Sequence, residues 1–333
     1  MKKNELFFKS SDGITNVYKV IWEPEDEVKG VIQIVHGVTE HIMRYEEMAE
    51  YFTNKGIAVV GIDLLGHGLS TNNGSKKMYF GGVGSFKFLV DDLNTCIKHT
   101  KELFSHVPYI LLGFSLGSFV VRTYLIDYPY EVDGAILVGT GTISNFEYMM
   151  AKRVVNSEIK KYGEMAITDK IRDLTFGAYN KKFLPNKTEY DWLCRSEESL
   201  NKYITDPLKG EAMSTGVFRE LLEAMKYTND KKNIIKMKKI PLYLLSGSED
   251  AVGNFGKGIN SVCKLLKNGK IDDVSMKIYE GLRHDILHED NRTVIYEDIY
   301  EWWEEKINKR LFKRIIADKD EVNSILPKLK EEK

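Results

Sequence analysis

The sequence predicts an α/β protein built on a mostly parallel sheet with helices on both faces. Short runs rich in Val, Ile and Leu alternate with amphipathic stretches, which is typical of parallel sheets covered on both faces. Residues 5–10 and 16–22 flank the turn sequence Ser11-Asp12-Gly13 and predict an antiparallel hairpin at one edge. From about residue 142 to 239 the alternation stops and only helical patterns remain, which predicts an inserted helical cap.

Apolar runs separated by amphipathic stretches predict the order of the core elements. Strands are expected at residues 31–35, 57–62, 109–112, 134–139, 242–245 and 274–279, and helices at 42–54, 85–104, 118–128, 255–267 and 293–309. This pattern divides the chain into three parts. Residues 1–141 and 240–310 form the predicted α/β core, residues 142–239 form the cap (lid), and residues 311–333 form a charged C-terminal tail.

The composition limits the classes of protein that fit this sequence. The 333 residues are 43% hydrophobic, enough for one large domain with an insertion, and the formal net charge of -1 gives no indication of a nucleic-acid partner. Cys96, Cys194 and Cys263 are odd in number and widely spaced, so we expect packing roles rather than disulfides. Residues 6–8 are too short an apolar stretch for a secretory signal. We therefore expect a cytoplasmic protein.

The segment after the predicted strand 109–112 suggests a nucleophile. Residues 113–117 match the pattern G-x-S-x-G and lie between a predicted strand and a predicted helix. A serine in a strained backbone conformation tolerates only small residues two positions away, which explains Gly113 and Gly117. The turn lifts the hydroxyl of Ser115 above the sheet. The sequence therefore predicts Ser115 as a nucleophile, against the alternative of an incidental glycine-rich strand end.

A serine hydroxyl is a weak nucleophile at neutral pH and needs a general base. The chain has seven histidines. His284 is the candidate base because it lies in a loop just after the predicted strand 274–279. His288, four residues later, is the nearest alternative and is also consistent with a plain surface residue.

The base in turn needs a carboxylate that fixes its tautomer and stabilises its charged form. Asp250 follows the apolar run 242–245 across a turn of small residues, so it is the main candidate. Asp273 and Asp285 remain alternatives.

The negative charge that develops in acyl transfer needs two backbone N–H donors. One candidate is the N–H of Leu116, which points into the same space as the serine. The other is expected from the loop after the first core strand, where Gly37 permits a sharp turn and Val38 is the candidate donor. His36 and His41 are expected to shape this loop through hydrogen bonds.

Residues 63–70 contain Asp63 and His67, which suggest a metal site at first sight. No further ligand stands at a suitable spacing, so we expect a hydrogen-bonded structural loop beside the site. We expect the reaction to need neither a metal ion nor an organic cofactor.

These motifs together resemble the α/β-hydrolase superfamily, and more narrowly its monoacylglycerol lipase and lysophospholipase branch, which is sometimes grouped with serine aminopeptidases of type S33. The supporting motifs are HGVTEHIMRY at 36–45, DLLGHGLS at 63–70, GFSLG at 113–117, PLYLLSGSED at 241–250 and YEGLRH at 279–284. The resemblance implies an α/β-hydrolase fold with Ser115, Asp250 and His284 as a catalytic triad, in the chain order usual for that fold. It also implies Val38 and Leu116 as oxyanion donors.

The resemblance further implies hydrolysis of carboxylic esters of lipid-like substrates, a monoacylglycerol or a lysophospholipid, through an acyl-enzyme intermediate. The alternatives are a small-ester or thioester hydrolase, an aminopeptidase on the same fold, and a ligand-binding protein without turnover. The expected partner is a small-molecule acyl ester. Met and Phe side chains in residues 142–239 suggest either an acyl-chain pocket or ordinary packing, and transient contact of the cap with a lipid surface stays open. The sequence gives no indication of the oligomeric state.

Overall fold

The structure, a computed structural model, describes residues 1–129 and 131–308, and this part of the chain contains one eight-stranded sheet. The strands are β1 (Lys2–Lys9), β2 (Asn16–Glu23), β3 (Gly30–Val35), β4 (Ile57–Ile62), β5 (Tyr109–Phe114), β6 (Gly134–Val138), β7 (Leu242–Gly247) and β8 (Val274–Tyr279). Their spatial order is β1-β2-β4-β3-β5-β6-β7-β8. β2 pairs antiparallel with β1 and with β4, whereas the other neighbours are parallel. The predicted mostly parallel sheet with an antiparallel edge is confirmed.

Helices cover both faces of this sheet. In the described ranges the α-helices are α1 (Glu46–Thr53), α2 (Phe86–Leu103), α3 (Leu116–Asp127), α4 (Asn145–Tyr162), α5 (Asp169–Arg172), α6 (Ala178–Asn180), α7 (Glu197–Thr205), α8 (Thr215–Asn229), α9 (Lys231–Ile234), α10 (Lys257–Asn268) and α11 (Arg292–Trp303). Alternate side chains of β3 enter different cores. Val31 and Val35 belong to the core that also contains side chains of α2, α3 and α10, while Ile32 and Ile34 belong to the core that contains side chains of α1 and α11. Because both faces are covered, the central strands are almost entirely apolar. Gln33 in β3 is a buried polar exception, and its side-chain oxygen accepts a hydrogen bond from Tyr109 OH.

Residues 142–239 form helices α4 to α9 and no strand. Several of these helices begin at a residue whose side chain accepts a hydrogen bond from a backbone N–H of the first turn. These N-cap residues are Ser144, Thr168, Ser196, Ser214 and Asp230. Such a side chain satisfies an amide that has no partner within the helix. The buried side chains of the segment, such as Val155 and Val217, join the core of α2 and α3.

Most element boundaries differ from the sequence predictions by a few residues, and three of the differences change how an element begins, divides or ends. α3 begins at Leu116 rather than residue 118, because the turn at Ser115 leads directly into the helix. The predicted helix 42–54 is divided into a 3-10 turn, Ile42–Tyr45, and α1. The predicted final helix is α11 followed by a π-helical stretch, Glu304–Asn308. The predicted C-terminal tail, residues 311–333, lies outside the described residues.

Two further features of the described residues bear on earlier expectations. Cys96, Cys194 and Cys263 are free, and the first two are buried, which fits packing roles. No helix in the described ranges combines the length and apolar character that crossing a bilayer requires.

Candidate active site

The turn between β5 and α3 holds Ser115 in a strained backbone conformation, with φ 50° and ψ -115°. A positive φ is uncommon for a residue that carries a side chain. A Cβ atom on Gly113 would lie 2.6 Å from the Gly117 carbonyl oxygen, and one on Gly117 would lie 1.9 Å from the Val35 carbonyl oxygen. Both positions therefore require glycine, and the turn places Ser115 at the carboxyl end of β5.

Side chains from three loops form a hydrogen-bonded chain at this edge of the sheet. His284 Nε2 lies 2.9 Å from Ser115 Oγ, and His284 Nδ1 lies 2.8 Å from Asp250 Oδ1. Asp250 follows β7 and His284 follows β8, so parallel strands deliver all three groups to one edge. Because an ionised carboxylate only accepts, Nδ1 donates to Asp250 and Nε2 accepts from the serine hydroxyl. The structure thus brings the three predicted residues together, and their catalytic roles stay a prediction.

Asp250 is fully buried and nevertheless held in its charged form. Gly253 N–H donates to Oδ1 at 3.0 Å, and Ser246 Oγ donates to Oδ2 at 3.1 Å. Burial alone would raise the pKa of Asp250, but His284 and these two hydrogen bonds outweigh burial and lower the pKa below 3.8. The charged carboxylate can therefore orient His284 and stabilise its protonated form.

The pKa of His284 is shifted in the opposite direction to that of Asp250. Its side chain is 2% exposed, and burial alone would lower its pKa. Attraction to Asp250, with smaller contributions from Asp285 and Glu40, outweighs burial and raises the pKa of His284 above 6.5. A histidine with this balance takes up a proton readily once a neighbouring hydroxyl reacts.

Three residues that surround the His284 ring were missed by the sequence analysis. The Phe114 ring lies 5.0 Å and the Trp192 ring 5.7 Å from the imidazole, measured between centroids. A Cβ atom on Gly139, which has φ 59°, would lie 2.8 Å from His284 Cε1. Gly139 did carry a signal, because a glycine directly after a buried strand marks a close approach at the sheet edge. No spacing pattern indicated Trp192.

The alternative acids and base are engaged in other contacts. Asp285 accepts from Arg44 Nη2 at 3.0 Å and lies 2.8 Å from His288 Nδ1. His288 Nε2 donates to the Arg44 carbonyl oxygen at 3.0 Å. Asp273 forms an ion pair with Lys306 at 3.6 Å. The histidine that is hydrogen-bonded to the serine is His284, and the carboxylate bonded to that histidine is Asp250.

His36 fixes the backbone of the predicted oxyanion donor after β3. Leu64 N–H donates to His36 Nε2 at 3.0 Å, so Nδ1 carries the proton and donates to the Gly37 carbonyl oxygen at 2.7 Å. Burial lowers the pKa of His36 to about 3, which keeps the ring neutral. Since the peptide unit is planar, holding the Gly37 carbonyl also fixes the direction of Val38 N–H. His36 therefore shapes this loop.

The two predicted oxyanion donors lie on loops that pack against each other. Leu116 is the first residue of α3, where backbone N–H groups have no partner within the helix. The Cβ position of Gly117 lies 2.7 Å from the His36 carbonyl oxygen, so the loop carrying Val38 abuts the turn at the serine. The roles of Val38 and Leu116 as oxyanion donors stay a prediction.

A buried ionic network that the sequence predictions did not include supports both loops. The Glu40 carboxylate accepts from Gly37 N–H and from Tyr45 OH, and it pairs with Arg44. Arg44 also donates to Asp285, the neighbour of the candidate base. Arg44 thereby links the loop after β3 to the loop after β8. Glu40 and Arg44 are four residues apart, and this spacing of opposite charges could have indicated the ion pair between them.

Residues 63–70 form a hydrogen-bonded loop beside the site. Asp63 accepts from Ile42 N–H at 2.8 Å and from Leu69 N–H at 2.7 Å, and burial raises its pKa to about 6. His67 Nδ1 donates to the Leu65 carbonyl oxygen at 2.9 Å, and burial lowers the pKa of His67 to about 3. Across the part of the chain that the structure describes, no group of three or more His, Cys, Asp and Glu side chains is arranged for a metal ion.

Comparison with known proteins gives matches over most of the chain. The family model for serine aminopeptidase, S33, matches residues 26–291. The monoacylglycerol lipase of Mycolicibacterium smegmatis is 24% identical over 301 residues, which cover 90% of this chain and 96% of that protein. The monoglyceride lipase of Homo sapiens is 26% identical over 288 residues, which cover 84% of each.

A solved structure gives a similar result. A highly thermostable carboxyl esterase from Bacillus coagulans, in complex with glycerol, superposes with a TM-score of 0.84 and 26% sequence identity. The superposition covers 92% of this chain and 99% of the esterase. The similarity therefore concerns the whole arrangement of elements and extends well beyond a local motif.

Proposed function

The chain belongs to the serine aminopeptidase S33 family and has the α/β-hydrolase fold, and on that premise we propose that it hydrolyses carboxylic esters through Ser115. The observation that carries the proposal is the hydrogen-bonded chain from Ser115 through His284 to Asp250, at a serine with positive φ. The names of the similar proteins, two monoacylglycerol lipases and a carboxyl esterase, support an ester as the substrate.

In the proposed reaction, His284 Nε2 takes the proton of Ser115 as the serine oxygen attacks the acyl carbonyl. The backbone N–H groups of Val38 and Leu116 receive the developing oxyanion. His284, charged and paired with Asp250, then gives its proton to the leaving alcohol, and an acyl-enzyme remains. Water attacks the acyl-enzyme with the same base, which releases the acid and restores the serine hydroxyl.

The preferred substrate in this proposal is a lipid-like ester, a monoacylglycerol or a lysophospholipid. We assign residues 142–239 as the cap that covers the acyl group. Trp192, which lies in this segment, contacts the His284 ring and stacks on Phe176 at 5.3 Å, so apolar cap side chains reach the reacting groups. An apolar wall beside the nucleophile favours an acyl chain over a charged peptide terminus.

The surface of α4 supports transient contact between the cap and a lipid surface. Phe146, Met149 and Met150 are 72%, 49% and 45% exposed. The same helix carries four basic residues and two acidic ones. An exposed apolar cluster flanked by basic side chains fits an interface with anionic lipids.

We further propose that the protein is located in the cytoplasm. The three cysteines of the chain are free, and two of them are buried. Free thiols are usual in reducing compartments, where disulfides rarely persist.

The nucleophile is tested with a fluorophosphonate probe, which reacts covalently with activated serines. Wild type is expected to label at Ser115, and Ser115→Ala is expected not to label. Ser118→Ala is the matched control, because Ser118 lies one helical turn away and its hydroxyl donates to the Ser115 carbonyl oxygen at 2.6 Å. Labelling that survives Ser115→Ala contradicts the assignment.

The substrate class is tested with a hydrolysis panel of monoacylglycerols, lysophospholipids, short p-nitrophenyl esters and aminoacyl amides. We expect the highest kcat/KM on the long-chain lipid esters. A preference for aminoacyl amides would replace the proposal with a peptidase. Absence of turnover on every ester would leave a ligand-binding protein that keeps the fold.

A further inference from the structure

The loop that carries Val38 is held by a helix of the cap. Thr39, the next residue, has a positive φ of 65° and is 2% exposed. Tyr203 lies on α7, is 3% exposed, and its hydroxyl is 2.7 Å from Thr39 Oγ1. Thr39 Oγ1 is in turn 2.6 Å from the Val38 carbonyl oxygen. Two hydroxyl groups thus connect a cap helix to the predicted oxyanion donor.

The direction of these two hydrogen bonds follows from the number of protons. The Val38 carbonyl oxygen can only accept, so the Thr39 hydroxyl gives its single proton to that oxygen. Tyr203 must then donate its own proton to Thr39 Oγ1. The hydroxyl relay therefore runs from Tyr203 through Thr39 to Val38, and each oxygen in it has a partner.

The relay fixes Val38 on the side that His36 leaves free. His36 holds the Gly37 carbonyl oxygen, which belongs to the peptide unit before Val38. Thr39 holds the Val38 carbonyl oxygen, which belongs to the peptide unit after it. The two hydrogen bonds together fix φ and ψ of Val38, so a shift of the peptide unit after Val38 is not passed on to its N–H. A buried hydrogen bond at each unit is what pre-organised oxyanion donors require.

Two further contacts tie the same stretch of cap, residues 203–210, to this loop. Gly210 N–H donates to the Thr39 carbonyl oxygen at 3.1 Å. Asp206 Oδ2 lies 2.7 Å from His41 Nε2. The loop after β3 is therefore bonded to the cap at Thr39 and again at His41.

We propose that Tyr203 is a positioning residue for the oxyanion site, acting through Thr39 on Val38. The inference rests on the proposed function, because it presupposes that Val38 N–H receives the oxyanion. That charge is present in the transition state and absent from the bound ester. The relay consequently supports kcat and contributes little to KM, which a purely structural tyrosine would not do.

Single-atom variants test this inference. Tyr203→Phe removes one hydroxyl and keeps the ring that Arg44 contacts at 5.0 Å. Thr39→Val removes the other hydroxyl at nearly constant shape, and Thr39→Ser restores it. Tyr190→Phe is the matched control, because this buried cap tyrosine packs edge-on against Tyr203 at 5.3 Å and lies outside the relay.

The measurements are kcat and KM on a soluble p-nitrophenyl ester, and the Ki of a trifluoromethyl ketone, whose adduct with serine carries an oxyanion. We expect Tyr203→Phe and Thr39→Val to lower kcat roughly ten- to hundredfold and to weaken the inhibitor by the same factor. KM is expected to stay within about twofold. The double variant should lose no more than Thr39→Val alone, since both changes interrupt one relay.

The outcomes separate this inference from the proposed function. Wild-type kcat and Ki in Tyr203→Phe overturn the inference and leave ester hydrolysis standing. An equal loss in Tyr190→Phe, or a lower Tm with unchanged kcat in the folded fraction, also overturns it, because both indicate general packing. If wild type shows no hydrolysis and no trapping that depends on Ser115, the proposed function fails and the inference fails with it.

Discussion

At the scale of single residues, the charges of His284 and Asp250 depend on each other. Both side chains are buried, and burial alone would favour the neutral form of each. Because Nδ1 and Oδ1 lie 2.8 Å apart, each group stabilises the charged form of the other. In the proposed reaction only neutral His284 can accept the serine proton, so we expect the pKa of this histidine to set the acidic limit of activity.

We predict that kcat/KM of the wild type falls as the pH drops through a pKa above 6.5. In Asp250→Asn the attraction that outweighs burial is gone, so the pKa of His284 falls and the acidic limb of the residual activity moves to lower pH. The rate itself should fall about 10⁴-fold, because the tautomer of the base is no longer fixed. The pH profiles of kcat/KM for wild type and Asp250→Asn, measured on a soluble p-nitrophenyl ester, give both the position of the acidic limb and the loss of rate.

Asp273→Asn is the control for this prediction, because Asp273 pairs with Lys306 away from the site and its removal should leave the profile unchanged. An acidic limb that stays in place in Asp250→Asn would show that Asp250 does not determine the pKa of the base.

At the scale of elements, the loops after β3 and β8 are joined by three buried charges. The side chains of Arg44, Glu40 and Asp285 are 10%, 2% and 0% exposed. Burial alone would raise the pKa of Asp285, but His288 and Arg44 outweigh burial and hold that pKa well below its usual range. A buried ion that loses its partner costs far more than an exposed one, so Arg44 is a point on which both loops depend.

We predict that Arg44→Met lowers the free energy of unfolding by about 3–5 kcal/mol at neutral pH, because it leaves buried Glu40 without its cation and Asp285 with His288 as its remaining partner. The depressed pKa of Asp285 stabilises the fold above the pKa of the unfolded chain, and this stabilisation is lost as the pH falls through the folded pKa. In the variant Asp285 has lost Arg44 and takes up its proton at a higher pH than in the wild type, so the loss of unfolding free energy should narrow between pH 7 and roughly pH 4.

Urea unfolding at both pH values measures this deficit. Lys202→Met, which removes an exposed ion pair with Glu198, is the control and should have little effect at either pH. A deficit that is independent of pH would show that packing of the Arg44 side chain, rather than its charge, stabilises the two loops.

The turn from β5 to α3 gives a second prediction at this scale. Gly117→Ala would place a Cβ atom 1.9 Å from the Val35 carbonyl oxygen, so α3 would have to move away from β3. We predict a loss of about 3 kcal/mol or more in the free energy of unfolding, or no folded protein. Gly141→Ala is the control, because no atom lies within 4 Å of its Cβ position. Wild-type stability of Gly117→Ala would contradict the close packing of this turn.

At the scale of the whole molecule, the sequence predicted the features that depend on local residue patterns, namely the strands and the residues that follow them. The predicted strands 57–62 and 274–279 coincide with β4 and β8. Ser115, Asp250 and His284 lie together because each follows a strand, and their catalytic roles stay a prediction. Parallel strands end at one edge, so their following residues meet there. The contacts of Trp192 and Tyr203 were not predictable in this way. Tyr203 bonds a residue 164 positions away, and no periodicity encodes which cap side chain faces the site.

The contact with a lipid surface that we propose for α4 also concerns the whole molecule. Phe146 is 72% exposed on α4, and entry of its ring into a bilayer would remove that apolar surface from water. We predict that Phe146→Asp weakens binding to anionic vesicles about tenfold, measured by co-sedimentation. Ile14→Asp introduces the same charge at a 57% exposed apolar residue of the β1–β2 hairpin and should bind as wild type does.

Activity on a soluble ester separates this surface from the catalytic site. Because most of the Phe146 side chain is exposed to solvent, Phe146→Asp should keep the wild-type kcat/KM on a short p-nitrophenyl ester and lose rate only on esters presented in vesicles. Higher salt should weaken vesicle binding of wild type, because the basic residues of α4 contribute through charge attraction. Equal losses in Phe146→Asp and Ile14→Asp would mean that added negative charge, rather than the α4 surface, governs the interaction.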